Sequence, residues 1–134
     1  MKNTNKPALL STLWIFVLLN MLFRDIHQLA HPGFLEEAMV GVSEELLLFA
    51  GIVLEVQIAM VVLSRILPYQ YNRWANIIVG IVFIGVMVSF GVTDLDDMWF
   101  LAVEILALLS VVWIAWRWRE QATEAQSALS PSFG

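Results

Sequence analysis

Residues 46–60 read Leu-Leu-Leu-Phe-Ala-Gly-Ile-Val-Leu-Glu-Val-Gln-Ile-Ala-Met, within an apolar run that extends to residue 67. A run of this length provides the ~20 residues that an α-helix needs to cross ~30 Å of hydrocarbon. Glu55 interrupts the run near its middle. An ionisable group at that depth costs about 2.5 kcal/mol or more unless it is paired, protonated or hydrated. This stretch therefore predicts both a membrane-spanning helix and a polar site.

The composition of the whole chain points to the same class of protein. Hydrophobic residues make up 60% of the 134 residues, charged residues only 14%, and the mean hydropathy is +0.77. These values are typical of a membrane protein, and the length fits one domain. The absence of cysteine excludes disulfides, thiol redox chemistry and thiolate metal sites. A net charge of −5, with no Walker or Rossmann glycine motif, argues against nucleic acid and nucleotides as ligands.

Four segments are long enough to span a bilayer, at about residues 8–28, 43–67, 72–92 and 97–117. Each must be helical, because hydrocarbon offers no water to bond a free backbone group. Pro32 and Pro68 lie between spans, where proline can end a helix, and Asn72 is expected to cap the third span. We therefore predict an all-α integral membrane four-helix bundle over residues 1–119, a short surface helix within residues 34–42, and a polar, disordered tail at residues 120–134.

The charged side chains separate to the two ends of this bundle. If the spans alternate in direction, one end carries six of the seven Lys and Arg residues, namely Lys2, Lys6, Arg65, Arg73, Arg117 and Arg119. The other end carries seven acidic residues: Glu36, Glu37, Glu44, Glu45, Asp94, Asp96 and Asp97. Because basic residues accumulate on the cytoplasmic side of membrane proteins, both termini are predicted to be cytoplasmic.

The one basic residue on the acidic side, Arg24, belongs to a polar stripe of the first span. Residues three, four or seven apart share a helix face, and the stripe consists of Asn20, Arg24, His27 and His31. At ~1.5 Å per residue, Glu104 lies about 10 Å and Glu55 about 16 Å from the outer surface. We expect Asn20, Arg24, Glu55 and Glu104 to form one inward-facing cluster. Asp25 points about 100° away from Arg24 and is expected to reach a neighbouring helix or the surface.

Each of these features also has a simpler interpretation. Arg24 could extend to the outer headgroups with its stem in lipid. Glu55 and Glu104 could form hydrogen bonds, or an ion pair with Arg24, that only specify helix packing. His27 and His31 have the i, i+4 spacing of zinc ligands. We nevertheless expect no metal, with the two histidine rings split or solvated near the helix end.

Several segments resemble one family. Residues 10–26 (Leu-Ser-Thr-Leu-Trp-Ile-Phe-Val-Leu-Leu-Asn-Met-Leu-Phe-Arg-Asp-Ile), residues 54–65, residues 72–76 and Glu104 resemble small four-span bacterial membrane proteins of unknown function, which are similar in layout to DoxX-like membrane proteins. The resemblance implies a bacterial inner membrane and a four-helix bundle. It implies no particular activity. Where such families carry an acidic residue in the second span, Glu55 occupies that place.

Three classes of function remain open. The first is a module that binds or transports a small solute or cation, with Glu55 and Glu104 as ligands in an outward-opening cavity; we expect such a small transporter to form homo-oligomers. The second is a membrane enzyme of the isomerase or cyclase type, in which a buried carboxylic acid acts on a lipophilic substrate. The third is an accessory or structural protein. Membrane lipids are the expected partners in every case, and no cofactor is expected. The candidate ligand-binding residues are Glu55, Glu104, Arg24, Asn20 and Asp25.

Overall fold

The computed structural model describes residues 5–92 and 94–119, and these residues form five helices. In chain order the helices are α1 (Lys6–Leu29), α2 (Phe34–Ala38), α3 (Glu44–Ile66), α4 (Tyr69–Phe90) and α5 (Leu95–Arg117). The prediction of an all-α protein is confirmed. The helices α1, α3, α4 and α5 are long and apolar enough to cross a membrane. The tail predicted to be disordered, residues 120–134, lies outside the described residues.

Local capping sets where the helices begin. The Asn5 side chain accepts a hydrogen bond from the Ala8 amide, and Ser43 Oγ accepts one from the Leu46 amide, each at 3.2 Å. The predicted capping role of Asn72 is wrong. Helix α4 begins at Tyr69, directly after Pro68. Proline is tolerated at a helix start because the amide hydrogen that it lacks would have no bonding partner within the helix there. Asn72 therefore lies inside the helix.

The two central helices are α1 and α5. Helix α1 packs along both α3 and α5, and α5 also packs along α4, whereas α3 and α4 contact each other only slightly. Six of the seven buried residues of α5 recur at alternating intervals of four and three, at Asp97, Leu101, Glu104, Leu108, Val111 and Ala115. This spacing keeps one face of α5 directed at its neighbours. The α4–α5 contact is close at Gly80, where an added Cβ would lie 2.7 Å from Val112 Cγ2.

Helix α3 is the most exposed of the four long helices, since only 11% of its most apolar 18-residue stretch is buried. An apolar groove of about 200 Å³ lies between α3 and α4. Its walls include Phe49, Val53 and Val56 from α3 and Val79 and Phe83 from α4.

The two ends of the helix assembly differ in charge. Lys6, Arg65, Arg73, Arg117 and Arg119 lie at one end, which we call the basic end. Arg73 donates to the Ala115 carbonyl at 3.1 Å and to the Trp116 carbonyl at 3.0 Å, joining the start of α4 to the finish of α5. The opposite end, which we call the acidic end, holds α2, with Glu36 and Glu37, and the start of α5.

Candidate functional site

An arginine and two carboxylates meet inside the acidic half of the helix assembly. The Nε atom of Arg24 pairs with Oδ1 of Asp97, and its Nη1 atom lies 3.4 Å from Oε2 of Glu104. The pairing is possible because Asp97 and Glu104 are seven residues apart and project from one face of α5 towards α1. The predicted approach of Arg24 to Glu104 is present, and the simpler interpretation of Arg24 as a residue that only reaches the headgroups is not supported.

Two amide side chains complete this group, which we call the Arg24 cluster (Asn20, Arg24, Gln28, Asp97 and Glu104). Asn20 Nδ2 donates to Glu104 Oε1 at 3.3 Å and to the Phe100 carbonyl at 3.1 Å. Gln28 Nε2 donates to Asp97 Oδ1 at 3.1 Å. Both oxygens of Glu104 therefore accept a hydrogen bond.

The Arg24 cluster is almost closed to solvent and unbalanced in charge. The exposed fraction of the side chain is 0% for Glu104, 4% for Asp97 and 16% for Arg24. One guanidinium thus faces two carboxylates, so the cluster carries one excess negative charge when both acids are ionised. Charge interactions are strong here because little water or salt can screen them.

Glu55 does not join the cluster, and the prediction that it faces inward is wrong. Its side chain is exposed on α3, whereas Gln57, Met60 and Ser64 of that helix are buried. Residues two apart differ by about 200° around a helix. A helix that buries Gln57 must therefore direct Glu55 away from the other helices. The depth of Glu55 follows from its position in the run, but its direction does not.

Asp25 is also exposed, and within residues 5–92 and 94–119 it makes no hydrogen bond or salt bridge. Two cluster members were not among the predicted site residues. Asp97 belongs to the acidic residues of the outer end, and it lies seven residues before Glu104. Gln28 lies four residues after Arg24. Helical spacing from the two predicted members could have identified both.

A second group of buried polar side chains lies in the basic half, and we call it the Asn76 network (Trp14, Ser64, Asn72 and Asn76). Asn76 Oδ1 accepts hydrogen bonds from Trp14 Nε1 at 2.7 Å and from Ser64 Oγ at 3.2 Å. Asn72 Nδ2 donates to the Ser64 carbonyl at 2.7 Å, and Asn76 Nδ2 donates to Asn72 Oδ1 at 2.7 Å. The network joins α1, α3 and α4. Its bonds are satisfied internally, which is typical of a packing role.

Gln57 lies on the buried face of α3 and is fully buried. Neither its Nε2 nor its Oε1 atom has a hydrogen-bond partner among the residues that the structure describes. Buried amides are nearly always bonded, so this side chain calls for a partner such as a water molecule or a ligand.

Both histidine rings are about half exposed, as the solvated alternative predicted, but they are not split, because they approach the same acid. His27 Nε2 lies 3.2 Å and His31 Nε2 lies 3.8 Å from the same oxygen, Oδ2 of Asp96. The ring centroids are 5.9 Å apart. The start of α5 supplies the acid on which both rings meet, and the spacing of the histidines alone could not show this.

Comparison with known proteins supports the assignment of a family. No curated protein and no solved structure matches the chain. Residues 2–125 match the model of a family described as Family of unknown function (DUF6326). The match covers both central helices and every member of the Arg24 cluster. The chain therefore belongs to the DUF6326 family, and its four membrane-length helices indicate a multi-span membrane protein.

Proposed function

We propose that this protein binds a small cation, or a solute whose binding is linked to a proton, at the Arg24 cluster, as a step in transport. The observation that supports this proposal is the pairing of one guanidinium with two buried carboxylates. A bound proton or cation would remove the excess negative charge. The closed, paired arrangement is the state in which Arg24 serves both acids.

The deep position of Glu104 supports binding rather than an anchoring role at the surface. An ionised carboxylate in an apolar interior is costly unless it is compensated by charge or by hydrogen bonds. The positive charge of Arg24 is shared between Asp97 and Glu104, and Asn20 contributes only a neutral hydrogen-bond donor to Glu104. A cation that competes with Arg24 for one acid would release the guanidinium to the other acid.

Polar side chains at several depths support transport rather than binding alone. Counted from the basic end at ~1.5 Å per residue, Asn76 lies about 10 Å, Gln57 about 14 Å and Glu104 about 20 Å into the helices. Gln57, whose amide atoms have no partner within residues 5–92 and 94–119, therefore lies between the Asn76 network and the Arg24 cluster in depth. A solute or water molecule bonded to Gln57 would lie at a depth between the two groups.

The alternative of a membrane enzyme has weaker support. A lipophilic substrate would need an apolar pocket that ends at a carboxylic acid. The groove between α3 and α4 is apolar, but no acidic residue lines it, and Glu104 lies on α5 against α1.

The Glu104→Gln variant tests the binding proposal, because it keeps the size of the side chain and its bond from Asn20 but removes the negative charge. Purified protein in detergent would be unfolded thermally in sodium, potassium or choline chloride at equal ionic strength and at several pH values. A ligand that binds only the folded state at 100 times its Kd stabilises by ~2.7 kcal/mol. We expect wild type to gain stability from one cation or from acid, and Glu104→Gln to lose that response.

The matched control is Glu36→Gln, which removes the same charge from an exposed site on α2. It should respond as wild type does. If Glu104→Gln also responded to cations and acid as wild type does, the Arg24 cluster would be a packing element and the accessory or structural alternative would stand.

We also propose that the basic end faces the cytoplasm of a bacterium, with both termini there, and that the membrane is the inner membrane. The grouping of Arg65, Arg73 and Arg117 at one end supports this orientation under the positive-inside rule. A reporter that is active only in the cytoplasm, fused to the C-terminus, should be active. A reporter active only outside the cytoplasm would show activity if the orientation were reversed.

Self-association is proposed on the basis of Glu55. Its exposed carboxyl group faces the surroundings of α3, where lipid leaves it without a partner. Gly51 and Ala59 lie one turn on either side, and an added Cβ at Gly51 would meet no atom within 4 Å. Small residues let a second helix approach closely, so α3 of a second copy could pair its Glu55 with this one. Crosslinking in liposomes should give dimers for wild type and fewer for Glu55→Leu, with Glu36→Gln as the control. Equal crosslinking of Glu55→Leu would reject this contact.

A further inference from the structure

We propose that His27, His31, Asp94 and Asp96 bind a divalent transition-metal ion of the zinc class at the acidic end. His27 lies in the last turn of α1 and His31 just beyond it, while Asp94 and Asp96 lie at the start of α5. All four are separate from the Arg24 cluster, so the inference does not depend on the proposed transport function. The site is accessible, since both histidines are about half exposed.

The distances between donor atoms suit a common ion. Zinc binds histidine nitrogen and carboxylate oxygen at ~2.0–2.2 Å, so two ligands of a tetrahedral ion lie roughly 3.3 Å apart. The separations from Asp96 Oδ2 are 3.2 Å to His27 Nε2 and 3.8 Å to His31 Nε2. Asp94 lies close to the same site, because ligand atoms of His31, Asp94 and Asp96 all lie within 4.8 Å of one another. Small side-chain rotations would bring His31, Asp94 and Asp96 around one centre, and His27 lies against the same oxygen of Asp96.

The orientation of His31 favours a metal ligand. Its Nδ1 atom lies 3.3 Å from the His27 carbonyl oxygen, a contact in which only a protonated Nδ1 can donate. In a neutral ring that arrangement leaves a lone pair on Nε2, and Nε2 is the atom that faces Asp96. In that tautomer, a metal ion between Nε2 and the carboxylate would bond to both. A backbone carbonyl bonded to the far nitrogen is also the usual support for a metal-bound histidine.

The charge and chemistry of the set select the kind of ion. Two neutral imidazoles with Asp94 and Asp96 carry a charge of −2, which one divalent ion neutralises. Calcium and magnesium prefer oxygen ligands, whereas imidazole suits zinc, cobalt and nickel. In the alternative, both histidine rings are protonated and form ion pairs with Asp96, and no metal ion is bound.

The test is titration of the full-length protein, purified without a histidine tag, with Co²⁺ as a spectroscopic probe and Zn²⁺ as its competitor. We expect one Co²⁺ per chain, a visible absorption of low-coordinate Co²⁺, its displacement by Zn²⁺ and no displacement by excess Mg²⁺. His31→Ala and Asp96→Asn should each weaken binding at least tenfold. Both positions are at least partly exposed, so the variants should fold.

Glu36→Gln is again the control, because it removes an acid from the same end without touching the four ligands. It should bind Co²⁺ as wild type does. Absence of saturable binding by wild type would overturn the proposal and leave the protonated ion pairs. Binding that persists unchanged in both His31→Ala and Asp96→Asn would overturn it as well, since the ion would then lie elsewhere.

Discussion

Replacement of Arg24 by methionine should destabilise the folded protein more than any other single change in the Arg24 cluster. Methionine replaces the stem of the arginine side chain with an unbranched apolar chain but leaves Asp97 and Glu104 without their shared cation. Removing one partner of a buried ion pair typically costs ~3–5 kcal/mol. Arg24 retains some contact with solvent, and the unfolded chain in a membrane finds other polar partners. We therefore expect a loss of about 3 kcal/mol in the free energy of unfolding.

The variants of the two acids should cost less. Glu104→Gln and Asp97→Asn each leave the guanidinium with the other carboxylate, so we expect about 1 kcal/mol for each, the value of a typical hydrogen bond. The triple variant Arg24→Met, Asp97→Asn, Glu104→Gln contains no charge and should recover most of the stability that Arg24→Met loses, because neutral replacement of a buried ion pair is often tolerated.

The assay is reversible unfolding in mixed detergent micelles, followed at several pH values. The deficit of Arg24→Met should shrink as pH falls, since protonation neutralises the carboxylates that the variant leaves unpaired. Stability within 0.5 kcal/mol of wild type, a magnitude ordinary for an exposed substitution, would refute the reasoning. A deficit that did not depend on pH would also refute it, because lost packing rather than unpaired charge would then be the cause.

Three further changes can be measured in the same assay. Gly80→Ala should cost about 1–3 kcal/mol, because its Cβ would meet Val112 Cγ2 at 2.7 Å. The control Gly85→Ala has open space around it and should gain up to ~1 kcal/mol from helix propensity. Equal effects of the two variants would contradict the close approach of α4 and α5 at Gly80. Gln57→Met should be neutral or stabilising by ~1–3 kcal/mol, because it removes two buried atoms that have no hydrogen-bond partner in the described part of the chain. A large loss would instead indicate that the amide holds a bound molecule. Trp14→Phe should cost about 1–2 kcal/mol through its lost indole hydrogen bond and reduced volume, so an unchanged stability would show that the bond contributes nothing.

The membrane-length helices could be predicted from the sequence because hydrocarbon imposes a length and a composition that are visible residue by residue. The approach of Asn20 and Arg24 to Glu104 was also predictable, since helical spacing and depth place these groups at matching heights. Asp97 is a case in which helical spacing alone was not enough. It has the right spacing from Glu104, but its place in an acidic turn suggested only a surface role.

Which face of α3 turns towards the other helices was not predictable, and Glu55 shows this. Helix α3 is apolar nearly all round, so its sequence holds no stripe that distinguishes a face towards protein from a face towards lipid. Helix α3 packs against α1 with the face that carries Gln57 and Ser64, and Glu55 therefore points outward.

The sequence alone determined that this is an all-helical chain with four helices able to span a membrane, because those properties depend on local composition and on the thickness of a bilayer. Tertiary structure decided the polar contacts that helical spacing and depth did not predict. Arg24 reaches Asp97 across 73 residues of chain, and His27 and His31 reach Asp96. These contacts depend on how α1 rotates about its axis against α5, and that rotation is set by the packing of many apolar side chains together rather than by any one residue.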